Sequence, residues 1–225
     1  MLFRSYGNIH AVHLTPDGGS YRGTFETFAT AAPLPVTDLA VHPDGALYFT
    51  IGGRRTQSGL YRIRYTGDLS QDASGIAADA DAAKQRATRE SMEKLHLSEP
   101  SAAAVAAALE HLGHEDRAVR FAARIALEHQ PVDQWRNQVV KLKDPQARIL
   151  GIIALARHGE PSDKNASLQA LTSITWDQLS TGQRIDLLRA YGLVAIRLGA
   201  MTPAEAKRSE EHTSELQSRQ YLVCR

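Results

Sequence analysis

The chain has 225 residues, of which 43% are hydrophobic, with 26 Lys and Arg against 25 Asp and Glu. Scattered, balanced charge gives no electrostatic footprint for nucleic acid, and no apolar run approaches the roughly 18 residues that a membrane span needs. Cys224 is the single cysteine, so an internal disulfide and a multi-thiolate metal site are excluded, and the compartment cannot be read from redox chemistry.

The opening residues, Met1 to Gly7, do not read as a signal peptide. Ile9 to Leu14 alternates as a strand and Tyr21 to Phe28 as another, with Pro16-Asp17-Gly18-Gly19 as the turn between them. Val36 to Tyr65 then reads as three strands. Leu39 and Val41, Leu47, Phe49 and Ile51, and Leu60, Ile63 and Tyr65 supply the apolar positions. Pro43-Asp44-Gly45 supplies a turn in which proline fixes φ and glycine tolerates a positive one. This pattern is the grammar of a β-propeller blade, so residues 1–66 are expected to form about one and a half blades, with the first hairpin as the outer part of a preceding blade. A propeller needs about four to eight blades of roughly 40 residues each, and the chain is therefore expected to be a piece of something larger.

Composition shifts near Gly67 from Gly, Thr, Tyr and Phe to Ala, Leu, Arg and Glu in helical spacing, which places a linker and connecting helix at 67–99. Residues 100–200 hold a repeat. Asp116-Arg117-Ala118-Val119-Arg120 lies 28 positions before Asp144-Pro145-Gln146-Ala147-Arg148, and each copy runs on into small and aliphatic residues ending at Leu127 and Leu155. Each Asp is expected to cap a helix and to pair with the Arg four residues on. Shorter helical stretches precede the two copies, at Ala102 to Leu112 and Val132 to Leu142. A third pair is expected at Asp163 to Ile174 and Thr181 to Leu198, with Ile185, Leu188, Val194 and Leu198 on one face. Three pairs suffice for a stacked solenoid. Residues 201–225 are expected to be a disordered tail.

Three resemblances bear on this reading. Arg208 to Arg225, RSEEHTSELQS followed by RQ and YLVCR, resembles the translation of a widely used sequencing-library adapter; no function is assigned to it, and Cys224 falls inside it. LGHEDRAVRFAARIALE, Leu112 to Glu128, resembles the HEAT repeat pattern. Tyr6 to Tyr65, including YGNIHAVHLTPDG and LPVTDLAVHPDGALYFTIGGRRTQSGLYRIRY, resembles the end of the propeller in the glucose/sorbosone dehydrogenase class, especially large secreted proteins in which HEAT-like repeats and a haem-binding module follow. The expected fold class is α+β: truncated antiparallel propeller blades followed by an α-solenoid of HEAT-like pairs. The resemblance implies a periplasmic or extracellular parent, with pyrroloquinoline quinone and calcium in its propeller and haem in a downstream module. No Cys-x-x-Cys-His occurs here.

Within that frame the candidate cofactor-binding residues are Asp38, at the start of an inner strand, and Arg54 and Arg55 in a glycine-bearing loop at 52–57. Adjacent arginines can clamp carboxylates of a quinone or an acidic substrate; equally, they can be solvated loop residues and Asp38 a turn residue. The catalytic residue is unknown and would come from a missing blade. His111 and His114 have a spacing a metal could use but lack a fixed third ligand, and no metal site is assigned. His10, His13 and His42 read as surface or strand-edge positions, Trp135 and Trp176 as solenoid core. Two functions are expected: a fragment, inactive alone, of a secreted sugar or alcohol dehydrogenase, or part of a non-catalytic scaffold that binds carbohydrate, or a protein partner through its helical repeats.

Overall fold

The computed structural model describes residues 7–53, 55–67 and 79–207, and the chain divides into two units, 1–79 and 80–225. In the first, β1 (Asn8–Asp17) and β2 (Ser20–Thr30) pair antiparallel around Gly18 and Gly19, and β3 (Val36–Val41), β4 (Leu47–Gly53) and β5 (Thr56–Ile63) form a three-stranded antiparallel meander. The β3–β4 link follows from its turn residues. Gly45 N–H donates to the His42 carbonyl at 2.9 Å, and Gly45 holds φ +78°, the left-handed step that closes a three-residue hairpin loop.

The propeller expectation is overturned here. The five strands make one sheet of two and one of three, not four-stranded blades. The physical reason lies in the strand faces. A blade strand is covered by its neighbouring blades, whereas β2 is exposed at nearly every position, and Phe25, Val41 and Leu60 are at least 70% exposed. The shared core is small: Ile9, Phe49 and Ile51, flanked by Ala29, Leu34 and Val36.

The second unit is helical, in agreement with the helical content expected. Its elements are α1 (Ala80–Lys94), α2 (Ala102–His111), α3 (Arg117–Glu128), α4 (Arg136–Val139), α5 (Pro145–His158), α6 (Lys164–Thr172), α7 (Thr181–Arg197) and α8 (203–207). Helices α2, α4 and α6 each pack on the helix that follows, while α1, α3, α5 and α7 pack successively in a row. Leu127, Trp135, Ile149, Ile152, Leu155 and Leu187 are at most 1% exposed between these helices, each aliphatic side chain contributing about 1.5–3 kcal/mol. The stretch Val132 to Leu142 is less helical than its pattern suggests, forming one 3-10 turn and the single turn α4. Helix α8 falls inside the stretch read as a tail; Arg208 to Arg225 lie outside the described residues.

The repeat has a mechanical basis. Asp116 caps α3 by accepting from Ala118 N and Val119 N at 2.8 and 3.0 Å, and Asp144 caps α5 from Ala147 N at 2.7 Å. Among the described residues Asp144 forms no salt bridge with the Arg148 four residues on, and its Oδ2 accepts from the Ala147 N–H. The arginines reach back: Arg120 donates to the carbonyls of Glu115 and His114, and Arg148 to the Leu142 carbonyl and Ser173 Oγ. Ser180 and Arg184 stand at the same offsets around the start of α7, where Ser180 caps through Gln183 N. Adjacent repeats are tied by Gln130 Oε1 accepting from Ser101 N at 2.9 Å and by Arg136 donating to the buried Asp163 at 3.1 Å. In α7 and its C-cap the buried stripe is Leu187, Ala190, Tyr191, Val194 and Leu198, with Leu188 packed against the same core; of the expected face only Ile185, 58% exposed, lies outside it.

Candidate binding groove

The row α3, α5, α7 presents one continuous face. On α3 the positions i, i+3, i+4 and i+7 are Arg117, Arg120, Phe121 and Arg124; on α5, Leu150 and Ile153 sit one turn apart; on α7, Asp186 and Arg189 do the same. Together they line a cavity of about 130 Å³. Leu150 and Ile153, 9% and 3% exposed, are its floor, while Phe121 stands at its rim at 57%.

The charges around this groove are ordered. Arg124 lies over the Phe121 ring at 5.1 Å and is ion-paired with Glu128 one turn on. The Glu128 side chain is 5% exposed and also accepts from Arg157 Nε at 3.2 Å and His158 Nε2 at 3.3 Å, which ties α3 to α5. Burial pushes the Arg124 guanidinium below its usual range, Glu128 opposes this, and the Arg157 and Arg189 charges add to the push. Arg117 and Arg189 are exposed, and neither forms a salt bridge among the described residues. Gln146 donates to Asp186 at 3.3 Å.

A second cavity, of about 350 Å³, lies between α6, α7 and α8, lined by Asn165, Leu168, Gln169, Thr172, Tyr191 and Glu205, with Ser173 beside them. Burial raises the Tyr191 phenol, and a hydrogen bond with Thr172 at 3.3 Å partly offsets this. Glu205 accepts from Thr202 N at 2.6 Å and Lys164 Nζ at 2.9 Å, and the Thr202 bond, then the Lys164 bond, hold its carboxyl down at about 2.

The residues singled out in the sequence sit elsewhere. Asp38 pairs with Thr50 near the start of β3, and Gly53 pairs with Thr56, so Asp38 and the β4–β5 turn share one end of the sheet, with Asp44 and Gly45 at the other. Asp38 is exposed and its Oδ1 accepts from Leu39 N at 2.8 Å. Arg55 is exposed on the turn with φ 65°, and Arg54 lies outside the described residues. A Cβ added at Gly53 would meet nothing within 4 Å. A carboxylate turned onto its own strand, an exposed arginine and open space make no cradle for pyrroloquinoline quinone, and the described residues of this sheet end do not fit that cofactor. Among the described residues no group of three His, Cys, Asp or Glu could hold a metal ion, and no helix is long and apolar enough to cross a membrane.

His42, His111 and His114 serve local structure. His111 Nδ1 contacts the Ala107 carbonyl at 2.9 Å and His114 Nδ1 accepts from Asp116 N at 3.0 Å, with the two rings stacked at 6.2 Å. At the β3–β4 turn Asp44 gathers Ala46 N, Tyr48 Oη, Arg62 Nη2 and His42 Nδ1 within 2.9–3.2 Å; the Ala46 N–H lowers its carboxyl most, desolvation opposes this as the second largest effect, and His42, Tyr48 and Arg62 add to the lowering. Trp135 is fully buried and donates to the Gln130 carbonyl at 3.1 Å.

Sequence reasoning missed the groove. Its α3 half was visible as arginines and a phenylalanine at helical spacing, a signal absorbed into the packing pattern; its α7 half becomes visible only when α5 brings Asp186 and Arg189 beside them. Comparison with family models, with curated proteins and with solved structures finds no match, so the reading of the groove rests on its own residues.

Proposed function

We propose that the helical unit is a non-catalytic scaffold that binds a protein partner along α3, α5 and α7. The observation that carries this reading is the continuous face of the three helices, with an apolar floor at Leu150 and Ile153 and an exposed aromatic, Phe121, beside it. Rigid aromatic anchors next to apolar pockets are where binding energy concentrates at interfaces. The capped, 28-residue repeat and the alternation of helix pairs support reading α2 to α7 as HEAT-like pairs, an architecture that offers extended binding surfaces. The sugar dehydrogenase expected of a parent protein receives no comparable support: Asp38 and Arg55 form an exposed strand end rather than an enclosed site.

The test is a random-peptide display screen against the full chain, followed by amide hydrogen exchange with each selected peptide. The scaffold reading expects protection in 117–128, 145–158 and 181–197. Selected peptides that protect other segments, or a screen that selects none, would remove it.

A further inference from the structure

We infer that the partner presents an acidic segment carrying an apolar side chain, with its carboxylates held by Arg117, Arg124 and Arg189 and the apolar group seated between Phe121, Leu150 and Ile153. This deepens the scaffold reading and rests on it. Charge complementarity is the argument. Four arginines, Arg117, Arg120, Arg124 and Arg189, line the cavity against one carboxylate, Asp186. The nearby Glu128 compensates Arg124 alone among them, and its oxygens are shared with Arg157 and His158, so Arg117, Arg120 and Arg189 still outnumber Asp186.

The arginines are also sorted by task. Arg120 spends donors on the carbonyls of Glu115 and His114, which fixes its stem at the groove wall. Arg124 is oriented by Glu128 on one side and the Phe121 ring on the other, so little rotamer freedom is lost when it accepts a further contact. Arg117 and Arg189, on opposite walls, are exposed and have no salt bridge among the described residues. Guanidinium groups favour planar, bidentate carboxylates.

The apolar floor separates this partner from nucleic acid. A phosphate backbone is bound by basic stripes that track it over many charges, whereas this groove holds its arginines around Leu150 and Ile153 within one small cavity. An acidic side chain flanking a leucine-like one matches both features.

Fluorescence anisotropy with labelled peptides and the full chain tests this. The probes are a glutamate/leucine alternating peptide, a lysine/leucine one, a glutamate/serine one and a single-stranded oligonucleotide. The wild-type chain is expected to bind the glutamate/leucine peptide, in a salt-sensitive manner, in preference to the other three. Arg117→Glu with Arg189→Glu, both at exposed positions and so expected to keep the wild-type thermal midpoint, should weaken that binding by about tenfold or more and create binding of the lysine/leucine peptide. Phe121→Ala should weaken the glutamate/leucine peptide toward the level of the glutamate/serine one. Equal wild-type binding of the acidic and basic peptides, tighter binding of the oligonucleotide, no binding of any probe, or an unchanged affinity in the double variant would each overturn the inference. If the display screen yields groove-protecting peptides that are not acidic, the scaffold reading stands and this one falls; if no peptide protects the groove, both fall.

Discussion

In the helical unit one cluster of buried side chains runs from Val105 to Leu198, whereas in the β unit Ile9, Phe49 and Ile51 form the buried cluster while Phe25, Val41 and Leu60 face outward. Both units are rich in aliphatic and aromatic residues, so supply is not the difference. Sequence-local geometry is. A helix pair offers a second face as soon as it forms, and the next pair covers it, so burial accumulates along the chain. A hairpin pairs its backbone locally but buries side chains only against another layer, and β2 has no such layer along most of its length.

The same charge placed in both units should give the largest contrast. Leu127→Asp or Leu155→Asp, at positions no more than 1% exposed, should cost about 4 kcal/mol or more by burying an unpaired carboxylate. Leu60→Asp, 70% exposed on β5, should stay within about 0.5 kcal/mol. Urea titrations followed by circular dichroism decide it, and equal losses would mean that the β unit is packed as tightly as the helical one.

Glycine substitution gives a smaller contrast. A Cβ at Gly151 would lie 2.7 Å from Val139 Cβ, where α5 meets α4, whereas one at Gly53 meets nothing within 4 Å. Gly151→Ala is expected to cost about 1–3 kcal/mol through overpacking, and Gly53→Ala to leave the thermal midpoint near that of wild type. A neutral Gly151→Ala would show that α4 yields easily and that the close approach is not needed.

Next in size are the caps. Asp116→Ala and Asp144→Ala should each cost about 1 kcal/mol, and restoring the acceptor as Asn should recover most of it. The comparable change in the β unit, Asp38→Ala, removes an exposed carboxylate bonded to the adjacent N–H and should leave the denaturation midpoint in place. An Asp38 effect as large as that of Asp116 would point to a role that its geometry does not reveal.

The smallest expected effect is acid sensitivity at α8. The Glu205 carboxyl is lowered from an ordinary 4.5 to about 2 by Thr202 N–H first and Lys164 second. Its folded value lies below the unfolded one, so its stabilising contribution is complete above about 4.5 and is lost as pH falls toward about 2. The Thr202 amide resonance should shift across that window in wild type and lose the transition in Glu205→Gln. A transition near 4.5 would mean that the Lys164 and Thr202 contacts do not persist in solution.

The legible features in the sequence were local ones. Asp116 and Asp144 announced helix starts because an N-cap is decided within three residues, and the Pro43-Asp44-Gly45 turn was readable because φ preferences belong to single residues. The blade was misjudged because strand count and stacking are non-local: β3 to β5 carry the alternation of a blade without the further strand or the covering layers. The pairing of Arg148 with Asp144 failed for a different reason. Two partners competed for one carboxylate, and the backbone N–H won. In the groove, Arg117, Phe121 and Arg124 were in view on one helix, but their meeting with Asp186 and Arg189 depended on the order in which α3, α5 and α7 stack, which no single segment encodes. Asp38 and Arg55 illustrate the converse, since correct placement at one end of a sheet does not by itself make an enclosed site.

The helical unit is expected to carry its own stability and to hold its groove rigid, independent of what covers the strands. Residue-resolved amide hydrogen exchange on the full chain tests this. Core amides of α3, α5 and α7 should exchange in one slow class, reflecting cooperative opening of the stack, while amides of β1 and β2 exchange far faster through local opening. Amides of β2 exchanging as slowly as those of α5, or α3 and α7 opening separately from α5, would contradict it.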